Sequence, residues 1–351
     1  MDHALVENFA EKVAADQTVA GAAVLSYLGD RLGLWATMAG AGPVTPDELA
    51  GISGLDARYL TEWLASQTVA GYVAHDETTG QFELPVEHAA VLADDDSPAA
   101  MSGGFEATAA FWAVSDRVAD AFRTGDGIAW GDFDPRLQRG VARFFRPIYA
   151  RSLVQEWLPA VDQAVPRLEA GAKVLDVGCG YGTSTGMLAD AYPNSTFVGI
   201  EPDANSAAEA RSAVQKAGVS DRVRIENDFA ENLDLGDDWD FVFFFDAFHH
   251  IGDPVAVGRW ARDRLAPDGA LVLVEPLSRD HLADSHDGVH LTFFSASTLV
   301  CVPDALAQDG GVALGGQAGP TRLTGILHDA GFGQVRTALE TDINLVVEAR
   351  N

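Results

Sequence analysis

From residue 173 to the end of the chain, short apolar runs alternate with helical stretches, and this alternation narrows the fold more than any other feature. The runs fall at 173–177, 196–200, 222–225, 240–245, 270–275, 334–338 and 343–349. Such β-rich runs spaced by helices describe a parallel sheet covered on both faces. Only 339–342 joins the last two runs. A parallel crossover needs about a dozen residues, so the last strand should run antiparallel beside its predecessor. The expectation is an α/β chain with a seven-stranded sheet. At 351 residues the chain also exceeds what one hydrophobic core usually serves, which calls for a second domain.

That second domain lies at the start of the chain, which reads as a winged helix-turn-helix. Thr45-Pro46-Asp47-Glu48 opens a helix with a capping threonine, a proline at the first helical position and a returning glutamate. Gly51-Ile52-Ser53-Gly54 then turns into a helix over about 55–67, with Leu60, Trp63 and Leu64 on its buried face. Runs at 69–75 and 81–84 flank Asp76-Glu77-Thr78-Thr79-Gly80 and make a hairpin, the wing. The helix at 55–67 carries Asp56, Arg58 and Glu62, a poor match for phosphates, whose contacts dominate DNA affinity. Packing suits this domain better, with Leu25, Tyr27, Leu28, Leu32, Leu34 and Trp35 expected to face a second subunit. The expected organisation is a winged-helix dimerisation domain at 1–95, a helical linker contributing to a substrate pocket at 96–165, and a ligand-binding domain at 166–351. Residues 277–320 would be a substrate-covering insertion in the last of these.

Charge excludes several partners. Twenty-three basic residues against 52 acidic give a net charge of −29, and Lys12, Lys173 and Lys216 are the only lysines. Such a surface repels phosphate backbones and anionic lipid, so neither nucleic acid nor membrane is an expected partner. No apolar run is read as approaching the ~18–20 residues of a membrane span, the longest being 241–245. The N-terminus lacks the basic and apolar regions of a signal peptide. Two cysteines, Cys179 and Cys301, cannot form a disulfide framework and suit a reducing cytoplasm.

The stretch KVLDVGCGYGTSTG, beginning at Lys173, carries the chemistry. A strand ends in Asp176, Gly178, Gly180 and Gly182 alternate around Cys179, and a helix follows. Glycines belong where a backbone must turn sharply and approach a ligand closely. Glu201, with Pro202, ends the next strand, and an acid there accepts from both ribose hydroxyls of an adenosine. Two cofactor classes compete. The dinucleotide fingerprint is G-x-G-x-x-G with a pyrophosphate at the helix start. Here the spacing is G-x-G-x-G and Asp176 precedes it, which repels a pyrophosphate but suits an ammonium and a sulfonium, as in S-adenosylmethionine (SAM). Asn227-Asp228-Phe229 follows the third strand, where the acid can accept from an adenine amino group and the ring can stack. Asp246 and Ala247 follow the fourth, beside the place of the methionine part.

With VLDVGCGYG, FVGIEPD, the Asn227-Asp228-Phe229 step, FDAFHHIGDP and LAPDGALVLVEP in this order, the chain resembles the class I SAM-dependent methyltransferases. The resemblance covers about 171–276 specifically, and the closing strand pair through GFGQV and INLVVEAR. It implies a Rossmann-like sheet, SAM as cofactor and a small-molecule acceptor. The winged-helix half resembles the dimerisation domain of small-molecule methyltransferases acting on phenols and related metabolites, and the two-domain layout resembles actinobacterial methyltransferases of unassigned substrate. In the plant-type O-methyltransferases of this layout, a base histidine follows the fourth strand. Aligning FHHIGDP to that segment puts His249 on the base, with His250 in the place of an aspartate; the alternative is a structural or cofactor-shell role, since methyltransferases without a catalytic base also carry a His pair here.

Glu275 ends the fifth strand and could orient an imidazole, or simply accept from a helix N-terminus. His286-Asp287-Gly288-Val289-His290 invites a metal reading, but Gly288 weakens the helix that would align the two rings, so no metal is expected. Phe111, Trp112, Phe145, Tyr149, His290 and Phe294 are the candidate substrate contacts, implying an apolar, aromatic or polyketide-like acceptor methylated at oxygen. The same aromatics also suit an ordinary core. Methylation at nitrogen or carbon by proximity, and a SAM-binding regulator without turnover, are the alternatives.

Overall fold

Two side chains decide how the long first helix, His3–Arg31, is held. A Cβ on Gly29 would lie 2.6 Å from the Trp63 ring and 2.8 Å from Trp35, so only glycine lets the helix dock there. Both indoles also donate to its backbone, Trp63 to the Leu25 carbonyl at 2.9 Å and Trp35 to that of Ser26 at 3.1 Å. Helices Leu34–Ala41, Pro46–Ser53 and Ala57–Val69 complete the bundle. The capping box at Thr45 and Glu48 forms as the sequence demands. The wing is the antiparallel pair β1 (Ala74–Asp76) and β2 (Gln81–Glu83). It is shorter than the run at 69–75 implied, because Ala57–Val69 stays helical to Val69.

The computed structural model describes all 351 residues as two compact units. The first comprises Met1–Ala109 with Arg139–Pro147, the second Ala110–Gln138 with Ile148–Asn351. The segment 96–165 is therefore shared between them. Within the first unit, Leu34 and Trp35 are core residues and Tyr27 is buried, so these three do not form an intersubunit face. Their apolar surface is consumed by the unit's own tryptophan cluster. The apolar face left open lies earlier in the helix, where every residue from Met1 to Ala20 is exposed, Leu5, Phe9 and Val19 among them.

In the second unit, β3 (Lys173–Val177), β4 (Thr196–Ile200), β5 (Val223–Glu226), β6 (Trp239–Phe245), β7 (Leu265–Pro276), β8 (Gln334–Glu340) and β9 (Asn344–Arg350) form one sheet. Its order is β5-β4-β3-β6-β7-β9-β8. All pairs are parallel except those of β9, which runs antiparallel to both β7 and β8. This is the Rossmann-like, seven-stranded sheet with an antiparallel last strand. The chain leaves β3 toward β4 and β5, then returns to the other side of β3 as β6. Ligands bind at such a reversal, outside the carboxyl ends of the strands. Phe241, Phe243 and Phe245 stack at 5.5 and 5.2 Å along one face of β6. Phe244 turns to the other face and packs on Phe248.

About half of 277–320 folds as helix, including Gly288–Ala296 and Val302–Leu306. One expectation needs correction here. The helical run Gly288–Leu306 is long and apolar enough to cross a bilayer by length and composition, and nearly half of it is buried in the fold. Its polar residues, such as Thr292 and Asp304, hide the run from a simple search for unbroken apolar sequence.

One ion cluster organises the first unit. Arg143 bonds Asp30 at 2.7 Å, Asp95 at 2.8 Å and Glu106 at 3.0 Å. These carboxylates push the guanidinium pKa up against the opposing effect of burial. Arg143→Ala should leave Asp30 without a counter-charge and Glu106 with Arg139 alone, at a cost of about 3 kcal/mol, the lower end for a broken buried pair. Urea unfolding followed by tryptophan fluorescence of the full chain checks this.

Candidate active site

The carboxyl ends of β3, β4, β5 and β6 carry the groups expected from sequence. Asp176, on β3, is fully buried, and its Oδ2 accepts from Ser184 Oγ at 2.7 Å and Thr185 Oγ1 at 2.5 Å. One oxygen thus fastens the helix Thr183–Ala191 to the strand, while Oδ1 is buried without a partner. Burial pushes its pKa up to about 6. Gly178, Gly180 and Gly182 all sit at positive φ. At Gly178 a Cβ would also stand 2.6 Å from that of Ala247, so the loop and the end of β6 touch through glycine alone. Cys179 is buried, and its sulfur lies only 2.8 Å from where a Cβ on Gly199 would stand.

Glu201, at the end of β4, is almost buried. Its Oε2 accepts from the Gly180 N–H and its Oε1 from the Asp203 N–H, each at 2.9 Å. Each oxygen keeps a second lone pair. Burial raises its pKa to about 7, against those two bonds. Asn227 donates to the carbonyls of Glu201 and Pro202, both at 2.9 Å, locking the two loops together. Asp228 accepts from Phe229 N and Asn232 Nδ2, and the Phe229 ring is exposed.

Beyond β6 the polar groups are deeper. Asp246 has φ of +49°, a left-handed conformation unusual for a residue with a side chain. Its carboxylate accepts from Tyr149 Oη at 2.9 Å and Asn344 Nδ2 at 3.0 Å. Burial and then the nearby Glu275 push its pKa up to about 8. Glu275 accepts from the Phe248 N–H at 2.9 Å, and its Oε2 lies 2.6 Å from His249 Nδ1. Both readings of Glu275 from sequence are thus present in one side chain. His250 Nδ1 is 2.8 Å from Asp304 Oδ2, Asp304 also accepts from the Trp130 N–H, and the Trp130 ring stands edge-on to that of His250. Burial opposes protonation of both histidines, but Glu275 for His249, and Cys301 with Asp304 for His250, hold their pKa values up, that of His250 at about 9. Burial would raise the Cys301 thiol, yet the two imidazoles bring it down to about 6.

Tyr149, His249, His250 and Glu275 are therefore drawn together around the end of β6. Other candidates are placed elsewhere. Trp112 is 66% exposed. Phe145 belongs to the first unit, where it packs edge-on to Phe144. Phe111 and Phe294 are half-buried. His290 is buried, with Nδ1 2.9 Å from Asp287 and Nε2 without a partner. Cys301, Asp304, Trp130 and Asn344 are members of the cluster that sequence reasoning missed, since their distance along the chain gives no local signal.

Comparison with known proteins fits this geometry. A family described as a methyltransferase domain matches residues 149–307, and one described as an Rv2258c-like winged HTH domain matches residues 20–94. The methyltransferase GfsG of Streptomyces halstedii is 33% identical over 140 residues, covering 39% of this chain and 50% of that protein. The chain spans about half, or less, of the length of the curated relatives it matches. Among solved structures, the mitomycin 7-O-methyltransferase superposes with a TM-score of 0.73 at 19% identity, over 100% of both chains. An O-methyltransferase of neocarzinostatin biosynthesis, described in complex with SAM and 2-hydroxy-5-methyl naphthoic acid, gives a TM-score of 0.64 at 18% identity, over 93% of this chain and 95% of that one. At these identities the structures establish a shared fold. The chain thus matches a methyltransferase domain over 149–307, after a winged helix-turn-helix match over 20–94, and shares its fold with these O-methyltransferase structures.

The cluster at Asp246 makes a prediction about stability. Because its pKa is raised in the fold, the folded state holds a proton that the unfolded chain releases, so Asp246 costs stability increasingly as pH rises from about 4 to 8. Asp246→Asn offers a neutral isostere whose amide oxygen can still accept from Asn344 Nδ2. The variant should melt a few degrees higher at neutral pH, with the gain vanishing as pH falls toward about 4. Thermal scans across pH measure it.

Proposed function

We propose that this chain, a methyltransferase domain joined to an Rv2258c-like winged helix-turn-helix domain, transfers a methyl group from SAM to the oxygen of a small, largely apolar acceptor. The observation that carries the reading is the row of acids along one sheet edge: Asp176, Glu201 and Asp246 are buried there with raised pKa values, and no lysine or arginine is bonded to them. Such an edge is suited to a cation and hostile to a pyrophosphate.

The residues present fit SAM on their own terms. The unpartnered Asp176 Oδ1 and the spare lone pairs of Glu201 await donors, and the glycine loop has no Cβ to block close approach. Glu201 would take the ribose hydroxyls, Asp228 and Phe229 the adenine, and Asp246 with Ala247 the methionine end. Bound there, SAM supplies an electrophilic methyl group on a cationic sulfur, with a neutral thioether as leaving group. Alignment does much of the work in such a transfer. Glu275 holds His249 by a proton on Nδ1, and in the neutral ring, the form the raised pKa reserves for higher pH, Nε2 is the atom that takes the acceptor's proton as the oxygen is methylated. Asp304 holds His250 in the same sense. Tyr149, buried beside Asp246, helps to shape the acceptor space, together with Phe111, His290 and Phe294. The exposed first half of the helix His3–Arg31 supports a homodimer, and the two free cysteines suit a reducing, cytoplasmic setting.

Four outcomes test this reading. SAM binding should favour the ionised forms of Asp176 and Glu201, releasing protons, so affinity should rise with pH between about 6 and 8. Glu201→Gln should weaken SAM by roughly 1–3 kcal/mol and flatten that dependence. Calorimetry at several pH values decides, and an affinity that falls with pH would contradict it. His249→Gln should slow transfer to a phenolic acceptor by about 10²–10⁴ while SAM affinity holds. Light scattering should find a dimer for the full chain and a monomer once residues 2–20 are deleted.

A further inference from the structure

Two imidazoles and a thiol converge just beyond β6. The ligand-capable atoms of His249, His250 and Cys301 all lie within 4.8 Å of one another. Each ring is backed by a buried carboxylate, His249 Nδ1 by Glu275 at 2.6 Å and His250 Nδ1 by Asp304 at 2.8 Å. An ionised carboxylate only accepts, so each Nδ1 carries a hydrogen, and a metal ion that displaces the proton on Nε2 finds a lone pair there. That is the tautomer a metal requires, and a carboxylate behind the ring is the usual partner of a ligating histidine. Gly316 lies against the cluster, where a Cβ would stand at contact distance, 3.8 Å from both His249 Nε2 and Cys301 Sγ.

We propose that His249, His250 and Cys301 form a three-ligand site for a zinc-class divalent cation, with a fourth position open. Zinc–nitrogen bonds of about 2.0–2.1 Å and a zinc–sulfur bond of about 2.3 Å put tetrahedral ligand atoms roughly 3.3–3.6 Å apart, within the observed limit. A nitrogen–nitrogen–thiolate set suits zinc and cobalt and disfavours magnesium and calcium. The dication also neutralises Glu275 and Asp304, two buried carboxylates with no lysine or arginine bonded to them. From sequence this site is invisible, because Cys301 lies far along the chain from the histidine pair and the fold alone joins them.

The binding site stands without the methyl-transfer reading. Its consequence for turnover rests on that reading: Nε2 of His249 cannot hold a metal and take a proton at once, so zinc should inhibit transfer.

Cobalt(II) titrated into the full-length, chelator-treated protein tests the site directly. The expected result is one cobalt per chain, tetrahedral visible bands and a near-ultraviolet thiolate-to-cobalt band, all abolished by added zinc. Cys301→Ser should remove the near-ultraviolet band while Cys179→Ser retains it. Asp304→Asn, which keeps the thiol and both rings, should weaken cobalt about 10–100-fold. A wild-type protein that binds SAM but gives no tetrahedral cobalt spectrum would overturn the metal site and leave the methyltransferase reading intact. A thiolate band that survives Cys301→Ser would overturn it as well.

Discussion

The site depends on one carboxylate at the end of β7. Glu275 accepts from the Phe248 N–H and from His249 Nδ1, while its own carbonyl accepts from Asn344 on β9. Asn344 in turn holds Asp246, the strained first residue after β6. Three neighbouring strands are thus pinned at their ends by a chain of buried polar contacts. Low local dielectric strengthens each of these contacts, so together they rigidify the turn that carries the histidines, although Asn344 Oδ1 is left without a partner. The parallel packing of β6 against β3 and β7 supplies the apolar frame, through Phe241 to Phe245, against which that turn is set.

What the sequence could reveal follows the range of the constraint. The glycines at 178, 180 and 182 were legible because positive φ is a local demand. The acids at strand ends were legible because alternation of strand and helix placed each at one edge. Partners set by tertiary approach were not. Nothing local links Asp304 to His250, or Asn344 to Asp246, across 54 and 98 positions. Tyr27, Leu34 and Trp35 misled for a related reason: apolarity marks burial without saying what covers it. Trp35 is buried by Trp63 and Gly29, whereas the open stripe from Leu5 to Val19 sits on a helix with little in its composition to mark it.

The acidic balance of the chain, −29 overall, works in the same direction as the site. A negative field draws cations and repels phosphates at long range. At short range the buried Asp176 and Glu201 repeat that preference where water is excluded. A cationic sulfonium ligand satisfies both scales, and a dinucleotide satisfies neither.

Competitive calorimetry of SAM and NADH on the full-length protein at neutral pH tests this account most directly. It predicts that SAM binds one per chain and that saturating NADH leaves that binding unchanged. Tight NADH binding, with no heat from SAM, would contradict it.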